Sequence, residues 1–341
     1  MILVTGGTGL VGSHLLYDLT KSGKKVRVLK RKNSNTKILD KIFSYYTNAP
    51  EPLIQLIEWM DADLSDSYSL LEAMEDITEV YHCAAMVSFS PKDREELKKV
   101  NVEGTTNLVN AALEIGVRKF CHVSSIAAIG RNEHGGLTNE NNFWKYSPEH
   151  SMYSITKYNA EREVWRAAEE GLDVVIVNPA LIFGPSNWTQ SSSHMFSKAY
   201  KGINFYTAGI NGFVDVRDVV KLSIMLMESK IKNERYILCS ESVGFKFVFD
   251  VMHEALGKKK PTIKAGKFLT GLAWRAEKLR SIFTGSSPLI TKETAQTGHR
   301  ISKFSNAKIL NVFPDYKFIP IEQSVKDTSR LFLKDLASPS E

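Results

Sequence analysis

Three cysteines in 341 residues, Cys83, Cys121 and Cys239, are too few and too scattered for a disulfide framework or a structural zinc site. Each sits in an apolar run, which predicts a buried thiol. No apolar run reaches the ~18 residues of a membrane span. The N-terminus has no basic-then-apolar leader, and Gly6, Gly7, Gly9 and Gly12 interrupt it. There is no Arg-rich tract of the kind that announces nucleic acid, no repeat and no low-complexity segment. Lys plus Arg total 44 and Asp plus Glu 38, a mild excess of +6 that suits a small anionic ligand. These absences point to a protein of the reducing cytoplasm, without nucleic-acid partner or stable membrane insertion. With 43% hydrophobic residues the chain can bury a large core.

What is present is alternation. Met1–Thr5 reads as a buried strand, Gly9–Ser22 as a helix and Val26–Leu29 as a second strand. Further apolar runs follow at Ile54–Trp59, Glu79–Cys83, Lys119–Val123 and Val174–Val177. Helical patterns lie between them at Ser67–Met74, Asp93–Ile115 and Ser151–Glu170. This β-α-β-α order predicts an α/β fold with a Rossmann-type, doubly wound parallel sheet. After Asn178-Pro179 the pattern loosens, then resumes with a helix at Val216–Glu228 and a strand at Tyr236–Cys239. We therefore expect a dinucleotide-binding unit over residues 1–178, with 213–240 returning to it. Residues 179–212 and 241–341 are expected to form a smaller, mostly helical C-terminal substrate lobe.

Strand one runs into Thr5-Gly6-Gly7-Thr8-Gly9-Leu10-Val11-Gly12. Glycines there permit a tight turn and let backbone approach a pyrophosphate, while the next helix offers N–H donors. Gly6, Thr8, Gly9, Leu10, Val11 and Gly12 are thus candidate cofactor contacts. The end of strand two carries Lys30-Arg31-Lys32 and no acid before Asp40. Cations there suit the 2′-phosphate of NADP, Arg31 best through its fork, with Lys32 beside it. NADPH is expected over NAD, whose ribose wants an acid at this point.

Tyr153 and Lys157 stand four apart on a predicted helix, hence on one face. A phenol with pKa near ~10 needs help to move protons at neutral pH, and a nearby ammonium supplies it. Ser124 and Ser125 close the strand Lys119–Val123, at the strand end where open α/β sheets bind ligands. A serine there can hydrogen-bond a substrate carbonyl.

Taken together, Thr5–Gly12, His82-Cys-Ala-Ala85, Asn101-Val-Glu-Gly-Thr-Thr, Val123–Gly130, Tyr153-x-x-x-Lys157, Asn178–Pro185 and Phe213–Asp218 occur in an order that resembles the extended short-chain dehydrogenase/reductase superfamily. The resemblance spans essentially the whole chain and implies an oxidoreductase. It makes Ser125, Tyr153 and Lys157 the catalytic set. It also implies that Asn101 carries a water relaying protons to Lys157. Asp63 and Leu64 would meet the adenine, Ala84 and Ala85 would line the cofactor, and Val123 would lie near the nicotinamide. Asn178 and Pro179 would face its carboxamide. Ile126-Ala127-Ala128 lacks the acidic pair of sugar-nucleotide dehydratases, and Asn211-Gly212 stands where nucleotide-sugar epimerases place an arginine. The remaining likeness is to the dihydroflavonol 4-reductase-like group, whose members reduce diverse carbonyls. Ser287–Thr294 and Phe304–Leu310 resemble that group's C-terminal lobe. The alternatives are a nucleotide-sugar epimerase or dehydratase-like enzyme, and a non-catalytic NADP-sensing protein.

Substrate contacts are expected from Met86, Ser88, Phe89, Ser125, Phe183 and Tyr206, with Val87, Phe143, Trp144, Trp188 and Phe196 as further apolar candidates for a small-molecule carbonyl compound. His82 and His122 read as core residues rather than metal ligands. By resemblance the helices Asp93–Ile115 and Ser151–Glu170 would build a homodimer. Over Lys267–Phe283, Phe268, Leu269, Leu272, Ala276, Leu279 and Phe283 form one apolar stripe. We expect that stripe to pack over the substrate cleft rather than to bind anionic membrane, despite Lys267, Arg275, Lys278 and Arg280.

Overall fold

The computed structural model describes residues 1–132, 135–148, 150–284 and 291–337. Among the described residues twelve strands follow in chain order: β1 (Ile2–Thr5), β2 (Val26–Lys30), β3 (Ile57–Asp61), β4 (Glu79–His82), β5 (Lys119–Val123), β6 (Asp173–Pro179), β7 (Leu181–Phe183), β8 (Phe205–Tyr206), β9 (Ile210–Asp215), β10 (Glu234–Leu238), β11 (Glu241–Gly244) and β12 (Ile263–Lys264). Seven of them form one parallel sheet in the order β10-β6-β5-β4-β1-β2-β3. The order reverses between β1 and β4, and the crevice beyond the carboxyl ends of those strands is where such sheets take ligands.

The strands are buried on both faces, so adjacent residues serve opposite cores. Val4, Val28, Cys121 and Val175 pack under Leu15, Leu16, Val220 and Leu222, from the helices Leu10–Lys21 and Val216–Glu228. Leu3, Val80, Phe120 and Val174 turn the other way, to Leu108 and Val164 of the helices Gly104–Ile115 and Met152–Glu169. This two-sided burial explains why the strands read as continuous apolar runs.

The C-terminal lobe joins the sheet β11-β9-β7 and the pair β12-β8 to helices that include His194–Tyr200, Phe245–Ala255, Lys267–Thr284 and Ile321–Ala337. Its core is aromatic: Phe183, Phe196, Phe213 and Phe332 meet Val248 and Val325.

Three expectations shift. The third strand begins at Ile57 rather than Ile54, because Glu51–Ile54 forms a helical turn with Pro52 in its first turn, where a missing N–H costs nothing. The helix from Asp93 to Ile115 is interrupted by a π turn over Lys99–Glu103, at Asn101. The stripe on Lys267–Thr284 faces outward, with Phe268 81%, Leu269 42% and Leu272 51% exposed. That helix packs instead through Thr270, whose hydroxyl bonds His299 at 2.8 Å. The Leu279 and Phe283 side chains and residues 285–290 lie outside the described residues. Among the described residues no helix is long and apolar enough to cross a membrane.

Candidate active site

The glycine turn leaves β1 at Thr5 and re-enters helix at Leu10. Gly6 has φ +68°, and a Cβ there would lie 2.6 Å from the Ala84 nitrogen of β4's exit. A Cβ on Gly12 would lie 2.2 Å from the Gly6 carbonyl oxygen. Helix and turn therefore touch backbone to backbone. Gly9 caps the helix with no side chain, which leaves first-turn N–H groups and the positive helix end for an external acceptor. Thr8 and Leu10 are half-buried beside the exposed Gly9, and Val11 is buried beneath them. This cradle fits a dinucleotide pyrophosphate.

Past β2 the three cations divide. Lys30 is paired with Asp61 at 2.5 Å, so its charge is spoken for. Arg31 and Lys32 are exposed. Asp63 accepts the Ser65 backbone N–H at 2.8 Å and hydroxyl at 2.7 Å, which holds its carboxyl below the usual range. Leu64 packs on Gly104. Ala84 is half-buried and Ala85 exposed at the exit of β4.

A buried strap ties this turn to the next helix. The Ala84 N–H donates to Thr5 Oγ1 (3.2 Å), and Thr5 Oγ1 pairs with His82 Nδ1 (2.7 Å). His82 Nε2 pairs with Thr105 Oγ1 (2.9 Å), which donates to the Asn101 carbonyl (2.6 Å). The donor order requires the proton on Nε2. Burial drops the His82 pKa to about 3, so the ring stays neutral. His122 lies beside it, buried, with ring centroids 5.2 Å apart. Both histidines are core residues.

The Asn101 side chain is fully engaged. Its Oδ1 accepts the Met86 N–H at 2.7 Å, and its Nδ2 donates to the Met86 carbonyl at 3.0 Å and to Thr156 Oγ1 at 3.1 Å. Both ends of the amide are engaged in bracing β4's exit against the Tyr153 helix. The π turn supplies the extra residue that lets Asn101 face inward.

Ser125 lies two residues past β5 and caps the turn Ile126–Ala128, its Oγ accepting the Ala127 N–H at 3.1 Å. Tyr153 stands in the first turn of Met152–Glu169, started by the Ser151 cap on Ser154 at 3.0 Å. Burial raises the Tyr153 phenol's pKa, and the neighbouring Ser125 hydroxyl opposes the rise. Lys157 turns its ammonium to the Val123 carbonyl at 2.9 Å rather than to the phenol. A buried ammonium needs an acceptor, and that carbonyl supplies it. Burial drops the Lys157 pKa to about 8, with Glu161 and Cys83 pulling it back up. Asn178 donates to the Ser125 carbonyl at 3.0 Å, and its Oδ1 is buried without a partner among the described residues. Pro179 follows, buried, at the end of β6.

The substrate candidates separate. Phe89 sets its ring edge-on to Tyr153 at 5.9 Å. Ser88 bonds Asp93 at 2.5 Å, Met86 is braced by Asn101, and Val87 is 52% exposed. Phe143 is 86% exposed, and Trp144 stacks on Tyr158 at 4.6 Å. Phe183 and Phe196 are not pocket residues. Both are fully buried in the lobe core, with Phe183 stacked on Phe213 at 5.2 Å, because the short strand β7 turns Phe183 into the lobe. Trp188 is tied to Asp335 at 2.6 Å. Tyr206 lies beneath Lys246, 5.1 Å from its ring.

One residue at this site escaped the sequence reading. Glu161, four residues beyond Lys157, is buried and accepts from Ser124 Oγ at 2.7 Å, Asn178 Nδ2 at 2.8 Å and Arg235 Nη1 at 3.1 Å. The same spacing of four that links Tyr153 to Lys157 was the available signal.

The family model for the NAD dependent epimerase/dehydratase family matches residues 2–239. Sterol demethylase protein B of Methylococcus capsulatus is 34% identical over 265 residues, 76% of either chain. A putative dihydroflavonol 4-reductase of Synechocystis is 32% identical over 298 residues, covering 84% of this chain and 81% of its own. The crystal structure of gox2253 superposes with TM-score 0.80 at 29% identity over 98% of each chain. A UDP-glucose 4-epimerase of Thermotoga maritima gives TM-score 0.76 over 98% of this chain and 99% of its own, but at 22% identity that likeness is one of fold. With the glycine cradle, the sheet order and these matches together, the chain belongs to the NAD dependent epimerase/dehydratase family, the extended short-chain dehydrogenases/reductases, and is an NAD(P)-dependent oxidoreductase.

Proposed function

We propose that this protein is an NADP(H)-dependent reductase that converts an apolar or aromatic ketone or aldehyde to its alcohol. The observation that carries the reading is the meeting of Ser125, Tyr153 and Lys157 at the carboxyl end of β5, beside the glycine cradle. The dinucleotide, when bound, supplies the hydride that goes to the carbonyl carbon. Ser125 holds the carbonyl oxygen by its hydroxyl, and Tyr153 gives that oxygen its proton. Lys157 holds positive charge behind the phenol, which favours the phenolate left after transfer. Asn178 fixes the Ser125 main chain, and Asn101 fixes Met86 beside it.

Arg31 and Lys32, exposed past β2 with no acid beside them in sequence, support NADP over NAD. Phe89, edge-on to Tyr153, gives the reacting end an apolar border. The names of relatives, among them dihydroflavonol and cinnamoyl-CoA reductases, agree with a carbonyl substrate. A nucleotide sugar fits poorly. The neutral Asn211 stands where such enzymes place a diphosphate-gripping arginine, so that charge-assisted contact is missing.

The test is NADPH consumption against a panel of aldehydes and ketones, aromatic and alicyclic. Turnover of an apolar carbonyl, abolished in Tyr153→Phe, supports the reading. Binding of NADPH without turnover of any of them favours a sensing protein instead.

A further inference from the structure

Glu161 carries more hydrogen bonds than any role in the reductase chemistry explains. It is 2% exposed, and a buried carboxylate is tolerated only when paired and fully hydrogen-bonded. Here it is both. Oε2 accepts from Ser124 Oγ at 2.7 Å and Asn178 Nδ2 at 2.8 Å, while Oε1 accepts from Arg235 Nη1 at 3.1 Å and Trp165 Nε1 at 3.4 Å. These donors come from different elements. Ser124 lies at the end of β5, next to Ser125; Asn178 lies in β6 and also holds the Ser125 carbonyl at 3.0 Å; Arg235 lies in β10. Glu161 itself stands on the helix that carries Tyr153 and Lys157, one turn beyond Lys157 on the same face.

We infer that Glu161 is a positioning residue of this site: its carboxylate clamps the Ser125 strand end and Asn178 to the Tyr153 helix and supplies the countercharge of Lys157. The inference rests on the reductase reading for its kinetic consequence, though not for its electrostatic one. Arg235 balances the clamp. It also reaches across to the Glu140 carbonyl, and Glu140 Oε1 accepts the Ile237 N–H at 2.8 Å. The segment leading to Phe143 and Trp144 is thereby moored to the same network.

The charged and titratable groups around Lys157 are few. Tyr153 and Glu161 share its helix, Cys83 and His82 face it from β4's end, and His122 faces it from β5. Arg235 acts on it through Glu161. Burial keeps the Cys83 thiol protonated and both histidines neutral above pH 7, and Tyr153 is pushed upward. Lys157, with a pKa of about 8, is therefore the group that titrates between neutrality and mild alkali. Deprotonation removes its charge, so turnover falls on the alkaline side. Removing the carboxylate charge must move that limb toward acid; removing the guanidinium must move it toward alkali.

The experiment has two readouts on the full-length protein: the pH dependence of kcat with NADPH and an active carbonyl from the panel, and direct NMR titration of the ¹³C-labelled Lys157 side chain. In Glu161→Gln both should move acidward by about one pH unit, the low end of the effect of an opposite charge at ~4–6 Å. Arg235→Gln should move both the opposite way, and it decides the matter if Glu161→Gln does not fold. Ser124→Ala, which keeps every charge and drops one clamp bond, should lower kcat several-fold with the limb unmoved. An unshifted Lys157 titration in Glu161→Gln, or an equal shift in Ser124→Ala, overturns the inference. If the wild type reduces no carbonyl, the reductase reading fails while the NMR titration still judges the countercharge.

Discussion

Gly12→Ala should damage both stability and cofactor binding, and the structure sets the size. The added Cβ would lie 2.2 Å from the Gly6 carbonyl oxygen, 2.8 Å from the Gly6 carbonyl carbon and 2.9 Å from the Gly7 Cα. Ordinary contact begins at about 3.4 Å, so the helix Leu10–Lys21 must retreat from the turn by about 1 Å. Every obstructing atom is backbone, and no rotamer change relieves it. Overpacking of this kind costs about 1–3 kcal/mol. The same retreat pulls the first-turn N–H groups off the pyrophosphate position. Loss of one hydrogen bond to a charged group, about 1.5–3 kcal/mol, weakens NADPH binding by about 10- to 100-fold. Gly9→Ala is the control, since its Cβ meets only the Gly6 oxygen at 3.2 Å. Urea denaturation with NADPH fluorescence titration reads both effects. A Gly12→Ala protein that unfolds within 0.5 kcal/mol of wild type and binds NADPH equally well would refute the argument (about the size of a neutral surface change).

Arg31→Ala should weaken NADPH about 10- to 100-fold while leaving NADH unchanged, as dissociation constants for the two would reveal. Phe183→Ala should cost about 3–5 kcal/mol in a denaturant melt, because that ring is fully buried in the lobe. Phe268→Ser should stay within about 0.5 kcal/mol of wild type, because the ring is 81% exposed; a large loss would mean that the stripe is covered after all.

The sequence spoke most clearly where one local rule decided the outcome. Two-sided burial made the parallel strands readable as apolar runs, and the glycines marked a contact that no side chain can occupy. Tyr153 and Lys157 were legible because helix geometry converts a spacing of four into one face. The departures arise where tertiary contacts outvote the local pattern. Phe183 looked like pocket lining because aromatic residues suit both pocket and core; only the position of β7 against β9 puts it in the lobe. The stripe on Lys267–Thr284 followed helical periodicity, yet the helix docks through Thr270 and turns Phe268 and Leu272 outward. The π turn at Asn101 has no periodic signature, and it redirects that side chain onto Met86 and Thr156. Glu161 was overlooked because a helical glutamate is ordinarily solvated; its burial depends on Arg235, Asn178 and Ser124 arriving from three other elements.

The most direct test of the account is the steady-state rate of NADPH oxidation with an apolar ketone or aldehyde, for wild type and Tyr153→Phe, alongside NADPH binding to each. The phenol O–H is the only group removed, and general-acid catalysis contributes about 10²- to 10⁴-fold. Turnover should fall by that factor with the NADPH dissociation constant unchanged. A Tyr153→Phe enzyme that retains near-wild-type turnover would contradict the Ser125-Tyr153-Lys157 assignment.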